Sequence, residues 1–322
     1  MKTHLPALFT WLTLAALGDW LITRTIARAA IFIPKSALLL KIFSTITFSG
    51  QLATSLTSVL SILALGWIAW QHLFKQRNLA LVISCAGILG VNFTGIFLPS
   101  AGWGTVSFHL LMSTGVVALT WQVWKSAYDL EIKIAIYSVA VTLLIGNLYQ
   151  SLNSIYRLIE LSGPPILGQI VFNAGEFLVL VCVAALWWAF GRGAPKRAWF
   201  LAMLPALVFV VPRLTAPAMT GIMAIWSMGL TLYLPWLLYV GAIWLISLTI
   251  INSFQRGNTA GFAVLLLTAG GIAPQMSIQW FLGLIALWIL VNTSGDTQPI
   301  TSAASEYTTN SQVGFHQLDR IS

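Results

Sequence analysis

The sequence contains very few charged residues. Only 7% of its 322 residues are Asp, Glu, Lys or Arg, whereas a soluble domain has about 25%. So few charges cannot cover a surface that faces water, and the composition therefore excludes an ordinary soluble domain. With 58% hydrophobic residues and a mean hydropathy of +0.87, most of the chain is expected to lie in lipid.

Cysteine is also scarce. The two cysteines, Cys85 and Cys182, both lie inside apolar runs, and no CxxC or Cys/His spacing is present. This usage excludes a disulfide framework and gives no sign of a structural zinc site. We expect both cysteines to be small packing residues.

The short motifs of common membrane enzymes and cofactor proteins are absent as well. The sequence has no GxSxG, HExxH or P-loop motif and no carboxylates at DxxD spacing. No predicted span carries a lysine in its interior for a retinal Schiff base, and no second histidine is placed to bind haem with His109. We therefore expect no metal and no cofactor, and an enzyme is the less favoured interpretation.

Long apolar runs are what the sequence does contain. A spanning helix needs about 20 apolar residues. Runs of this kind are predicted at 5–22, 47–74, 79–98, 103–124, 131–157, 166–190 and 198–211. Two longer stretches, 216–252 and 259–292, are each predicted to form a pair of short helices, broken at Pro235 and at GGIAP (270–274). The expected fold is an all-α, polytopic transmembrane helical bundle with about eight to ten spans.

The runs indicate one transmembrane domain over residues 1–292, followed by a polar tail. We expect the first run to be retained as a span and not cleaved as a signal peptide, because it has no clear small-x-small site. Residues 24–41 are predicted to form an interfacial amphipathic segment. Residues 293–322 are rich in Ser, Thr, Asn and Gln and are predicted to be disordered.

The net charge of +8 comes mainly from residues that flank apolar runs, which is typical of loops beside anionic headgroups and not of nucleic-acid binding. Within the interfacial segment, the candidates for headgroup contact are Arg24, Arg28, Lys35 and Lys41. Basic residues are divided almost evenly between the two sides. The compact clusters HLFKQR and GRGAPKR favour a cytoplasmic N-terminus, in a plasma (inner) membrane.

Two neighbouring predicted spans carry an unusual number of polar side chains. The segment GQIVFNAGEFLVL, residues 168–180, places Gln169, Asn173 and Glu176 at i, i+4 and i+7, on one face of a helix. The preceding span carries a set with the same periodicity, namely Asn147, Gln150, Ser154 and Arg157. The short connection between the spans predicts that they pack antiparallel.

Depth along each helix predicts how the two sets pair. At about 1.5 Å per residue, Glu176 and Asn147 each lie about 15 Å from the connection. The predicted pairs are Asn147 with Glu176, Gln150 with Asn173, and Ser154 with Gln169, below Arg157 at the mouth. This polar ladder is predicted to lead from one membrane surface to the midplane.

The ladder has two interpretations that the sequence leaves open. An ionisable side chain within a span costs roughly 2.5–3.5 kcal/mol even on the most favourable scale, so it usually faces protein or water. The polar side chains could join the two helices by hydrogen bonds. They could also line a water-accessible cavity in which Glu176 exchanges protons.

Three further residues are accessory candidates for the same site. Asp19 lies near the end of the first span and is expected to form an interfacial ion pair with Arg24. His109 is expected to be a hydrogen-bonded packing residue. Arg213 is expected at the same surface as Arg157, where both could contact headgroups or an anionic substrate.

Two main functions fit these features. The first is a small-solute or proton-coupled transporter with an intramembrane polar cavity centred on Glu176, because interrupted helices often flank transport sites. The alternative is a membrane-embedded enzyme or assembly factor that acts on lipid-like substrates. A structural subunit of a membrane complex is a third interpretation.

Overall fold

The chain folds into helices in the computed structural model. The structure describes residues 10–15, 18, 37–76, 78–97, 102–126, 128–159, 166–218, 222–273 and 276–293. These residues contain helices and turns but no β-strand. The prediction of an all-α helical bundle is therefore confirmed.

The described residues form nine long helices, which we number in chain order. They are α1 (Ala37–Gln71), α2 (Leu79–Phe97), α3 (Gly102–Trp124), α4 (Leu130–Leu158), α5 (Ile166–Leu186), α6 (Lys196–Ala218), α7 (Ile222–Gln255), α8 (Ala260–Ile272) and α9 (Met276–Thr293). Single π-helical turns, His72–Gln76 and Trp187–Gly191, extend α1 and α5.

Five of these helices contain segments that are long and apolar enough to cross a membrane, which fits a membrane protein. The segments are Ser55–Phe74, Gly102–Trp124, Leu130–Tyr156, Asn173–Gly191 and Leu237–Gln255. The apolar parts of α2, α8 and α9 are shorter. The number of spans stays a prediction.

The two longest apolar stretches differ in outcome. The stretch 259–292 forms two helices, as predicted, and Ala273 between them has extended backbone angles. The predicted break at Pro235 is wrong, because α7 continues through it. A proline removes only one backbone N–H, and helices of membrane proteins tolerate it where neighbouring groups compensate.

The segment 24–41 was predicted to lie on the headgroups, but residues 37–41 form the first turn of α1. Lys41 is exposed on this helix. Its backbone carbonyl accepts hydrogen bonds from the side chains of Ser44 and Thr45, 2.8 and 2.9 Å away. Asp19, Arg24, Arg28, Lys35 and the tail 294–322 lie outside the described residues.

The main core surrounds α9. Every residue from 281 to 287 on this helix is buried, and Phe281, Leu282 and Leu287 are completely inaccessible. A helix that is apolar on all sides must be surrounded by other helices, and α9 packs against α1, α2, α3, α4 and α8. A smaller cluster joins α6 to α7, where Trp244 donates its indole N–H to the carbonyl of Trp199.

One end of the bundle, which we call the basic end, contains residues 72–76, 125–126, 128–129, 187–195 and 256–259. Two contacts link neighbouring parts of it. The Arg192 guanidinium lies 3.0 Å from the Glu131 carboxylate, and the Arg256 guanidinium donates to the carbonyl of Arg192. Exposed basic side chains gather here, namely Lys125, Arg192, Lys196, Arg197 and Arg256.

Candidate functional site

A cavity of about 610 Å³ lies among α4, α5, α7, α8 and α9. This volume falls in the range of pockets that bind small organic molecules. Most of the lining side chains are apolar. The polar ones are few and come from all five helices: Thr142, Tyr149, Gln150, Glu176, Tyr239, Thr268 and Gln279.

Glu176 is the only charged residue among the described residues that line the cavity. Its side chain is exposed and not packed into the core. Tyr239 of α7 faces it, close enough for the phenol to interact with the carboxylate as a hydrogen-bond donor. The cavity therefore presents a carboxylate to any molecule that enters it.

Three of the polar groups lie at one depth, on helices that all run towards the basic end. Counted along their helices, Glu176, Tyr239 and Gln279 each lie about 20–25 Å from the basic end. The break between α8 and α9 lies at the same depth, since Ala273 is about 20 Å from the start of α8. The carboxylate and this break thus belong to one region of the bundle.

Gln279 joins the cavity to this break. Its amide Nε2 donates to the carbonyl of Ala273 at 2.7 Å, so one carbonyl at the end of α8 has a partner from α9. Gly270 and Gly271 line the cavity at the end of α8. A Cβ added to Gly271 would meet no atom within 4 Å, whereas one added to Gly270 would lie 3.3 Å from the Gln279 carbonyl.

Asn147 does not lie opposite Glu176, as the depth argument had predicted. It is completely buried between α3 and α4, and its amide Nδ2 donates to the carbonyl of His109 at 2.6 Å. Its Oδ1 is bonded to the His109 ring nitrogen Nδ1, and Nδ2 also reaches the hydroxyl of Ser113. The amide is thus engaged by α3, and His109 is a hydrogen-bonded packing residue, as predicted.

The structure brings only part of the predicted ladder together. Gln150 lines the cavity with Glu176. Ser154 donates to the carbonyl of Gln150 on its own helix, and Asn173 is exposed but is not among the lining residues. The side chains of Gln169, Arg157 and Arg213 lie outside what the structure describes.

Several lining residues were not predicted from the sequence. Tyr239, Gln279 and Trp280 lie far from Glu176 along the chain, inside stretches that read simply as apolar. Gln279 gave a detectable signal, because a lone amide in an apolar run needs a partner. The aromatic residues gave no such signal, since tyrosine and tryptophan occur throughout this sequence.

The site holds a carboxylate, amides, hydroxyls and aromatic rings, which can bind a molecule and exchange a proton. Among the described residues, no three His, Cys, Asp or Glu side chains come together as a metal site would require. No family model matches the sequence, and the comparisons with curated proteins and with solved structures gave no significant match.

Proposed function

We propose that the protein is a transporter that moves a small solute through the cavity at Glu176, coupled to a proton carried by this carboxyl group. The observation that carries the proposal is the cavity itself: about 610 Å³ in volume, formed by five helices, with Glu176 as the one charged side chain in the described part of its lining. A charged group within an apolar bundle is costly, so it is usually kept for an ion or substrate pathway.

The break between α8 and α9 supports the same function. Helix ends at mid-membrane depth commonly contribute to the binding site of secondary transporters, because they bring polar backbone groups there. Here the break at Ala273 lies at the depth of Glu176, and Gly270 and Gly271 border the cavity. A hinge at this point could change the access to the cavity while α9 stays fixed in the core.

We further propose that the basic end faces the cytoplasm of a cell bounded by a plasma (inner) membrane. Basic residues concentrate on the cytoplasmic side of membrane proteins. The support is the cluster of exposed basic side chains described above, which now includes Arg256. Trp11 contacts Phe262 near the start of α8, with ring centroids 5.2 Å apart, so the described N-terminal segment lies towards this end.

Proteoliposomes that enclose a pH-sensitive dye provide the test. A panel of small amines, carboxylic acids, amino acids and sugars is added outside, and the internal pH is followed. We expect at least one solute to move protons with the wild type. Glu176→Gln, which removes the ionisable group at nearly constant volume, should abolish this movement.

The matched control is Glu131→Gln, the same chemical change at the exposed ion pair with Arg192. An exposed pair contributes about 0–1 kcal/mol, so this variant should fold and transport normally. Glu176→Gln with undiminished proton movement would contradict the proposal, and so would a wild type that responds to no solute in the panel.

A further inference from the structure

Resting on this proposed function, we infer that the substrate class is a lipophilic organic cation, bound with its charge at Glu176 and with its apolar part against the aromatic and aliphatic lining. The inference concerns which molecules the cavity selects. It follows from the sign of the charge in the cavity and from the chemistry of the walls.

The fixed charge in the cavity is of one sign. Among the lining residues that the structure describes, Glu176 is the only acidic one, and none is a lysine or arginine that would neutralise it. The five exposed basic side chains of the basic end lie roughly 20 Å away along the helices. In the apolar surroundings of the bundle, the carboxylate attracts a cation and repels an anion.

The end of α8 does not decide the sign of this field. Gly270 and Gly271 border the cavity, but the Gly270 carbonyl accepts from the N–H of Ala273, and the Ala273 carbonyl accepts from Gln279. The next helix, α9, begins at Met276, so the opposite partial charges of the two helix ends lie close together. The fixed charge of Glu176 therefore sets the sign.

The rest of the lining favours an apolar molecule that carries this positive charge. Tyr149, Tyr239 and Trp280 supply aromatic rings, which attract cations over their faces. Aliphatic side chains such as Val179 and Leu267 cover much of the remaining wall. A small hydrated ion would lose its water here without enough oxygen ligands in return, whereas a delocalised organic cation loses little.

A pair of ions with the same shape and opposite charge tests the inference. Tetraphenylphosphonium and tetraphenylborate are titrated calorimetrically into the purified full chain in detergent, with detergent alone as the blank. We expect the cation to bind and the borate to bind at least about tenfold more weakly. Glu176→Gln should weaken cation binding by about tenfold to a hundredfold.

Two further variants control for damage to the fold. Glu176→Asp keeps the charge and should retain most of the cation binding, and Glu131→Gln should bind as the wild type does. Added protons should compete with the cation in the wild type, since both need the same carboxylate, but not in Glu176→Gln. The inference is overturned if the borate binds as tightly as the phosphonium, or if Glu176→Gln binds the cation normally.

The outcome is separable from that of the proposed function. Proton movement that depends on Glu176, without cation selectivity, would keep the transporter and remove this substrate class. Selective cation binding without proton movement in proteoliposomes would support the ligand class. It would also show that the protein binds this ligand without transporting it.

Discussion

Asn147 and His109 join α4 to α3 through two hydrogen bonds in the interior of the bundle. The amide of Asn147 donates to the backbone carbonyl of His109, and its oxygen is bonded to Nδ1 of the His109 ring. Both side chains are buried. A pair of polar residues that satisfy each other in this way fixes the register of two apolar helices, which van der Waals contacts alone leave free to slide.

Removing this amide should destabilise the bundle. Asn147→Ala leaves the His109 ring nitrogen without its partner and removes the second hydrogen bond to the His109 carbonyl, and we expect a loss of about 1–2 kcal/mol. The measurement is the unfolding midpoint in detergent, followed by circular dichroism. Asn153→Ala, at a half-buried position on the same helix, is the control and should lower the midpoint less. An Asn147→Ala protein as stable as the control would contradict this account of α3 and α4.

The contact between α2 and α3 depends on glycine at position 87. A Cβ there would lie 2.6 Å from the backbone nitrogen of Met112, and that backbone cannot move aside as a side chain can. We expect Gly87→Ala to lower stability by about 1–3 kcal/mol. Gly66→Ala on α1 meets no atom within 4 Å and should be neutral or slightly stabilising. The midpoint should therefore fall with Gly87→Ala and not with Gly66→Ala, and equal shifts would refute the close packing.

A larger residue at position 271 should block the cavity without disturbing the core. Gly271 lines the cavity, and a Cβ added to it would have no atom within 4 Å. We expect Gly271→Leu to keep the unfolding midpoint near that of the wild type and to reduce solute-driven proton movement at least about tenfold, because the side chain occupies the binding volume. Gly241→Leu, also in open space but outside the cavity lining, should transport normally. Equal activity in the two variants would show that the cavity is not the pathway.

The all-α class was predictable from the charge deficit and the long apolar runs, which do not depend on any single residue. Two helix ends were also predictable, because the proline after α2 and the GGIAP sequence between α8 and α9 are strong local signals. The continuity of α7 through Pro235 was not predictable, since the neighbours that compensate a proline in a membrane helix are set by tertiary packing.

The partners of polar residues were harder to predict than the helices. Asn147 and Gln150 lie about 60° apart on one helix, near enough to share a face in a sequence pattern. In the structure Asn147 contacts α3, while Gln150 lines the cavity with Glu176. Asn147 thus joins two helices by hydrogen bonds, whereas Gln150 and Glu176 border a cavity. Each interpretation of the polar ladder applies to different residues. Which neighbour a helix face meets depends on how the whole bundle is assembled.

The most direct test of the central claim asks whether water reaches Glu176. In a background with Cys85→Ala and Cys182→Ala, Glu176→Cys and Phe177→Cys are compared for reaction with a cationic methanethiosulfonate reagent that does not cross lipid. Position 177 has the same depth but is exposed outside the cavity lining, so it serves as the lipid-facing control. We expect the thiol at 176 to react at least about tenfold faster, since only a hydrated thiol forms the reactive thiolate. Equally slow reaction at both positions would show that the cavity is dry and would contradict a transport pathway through it.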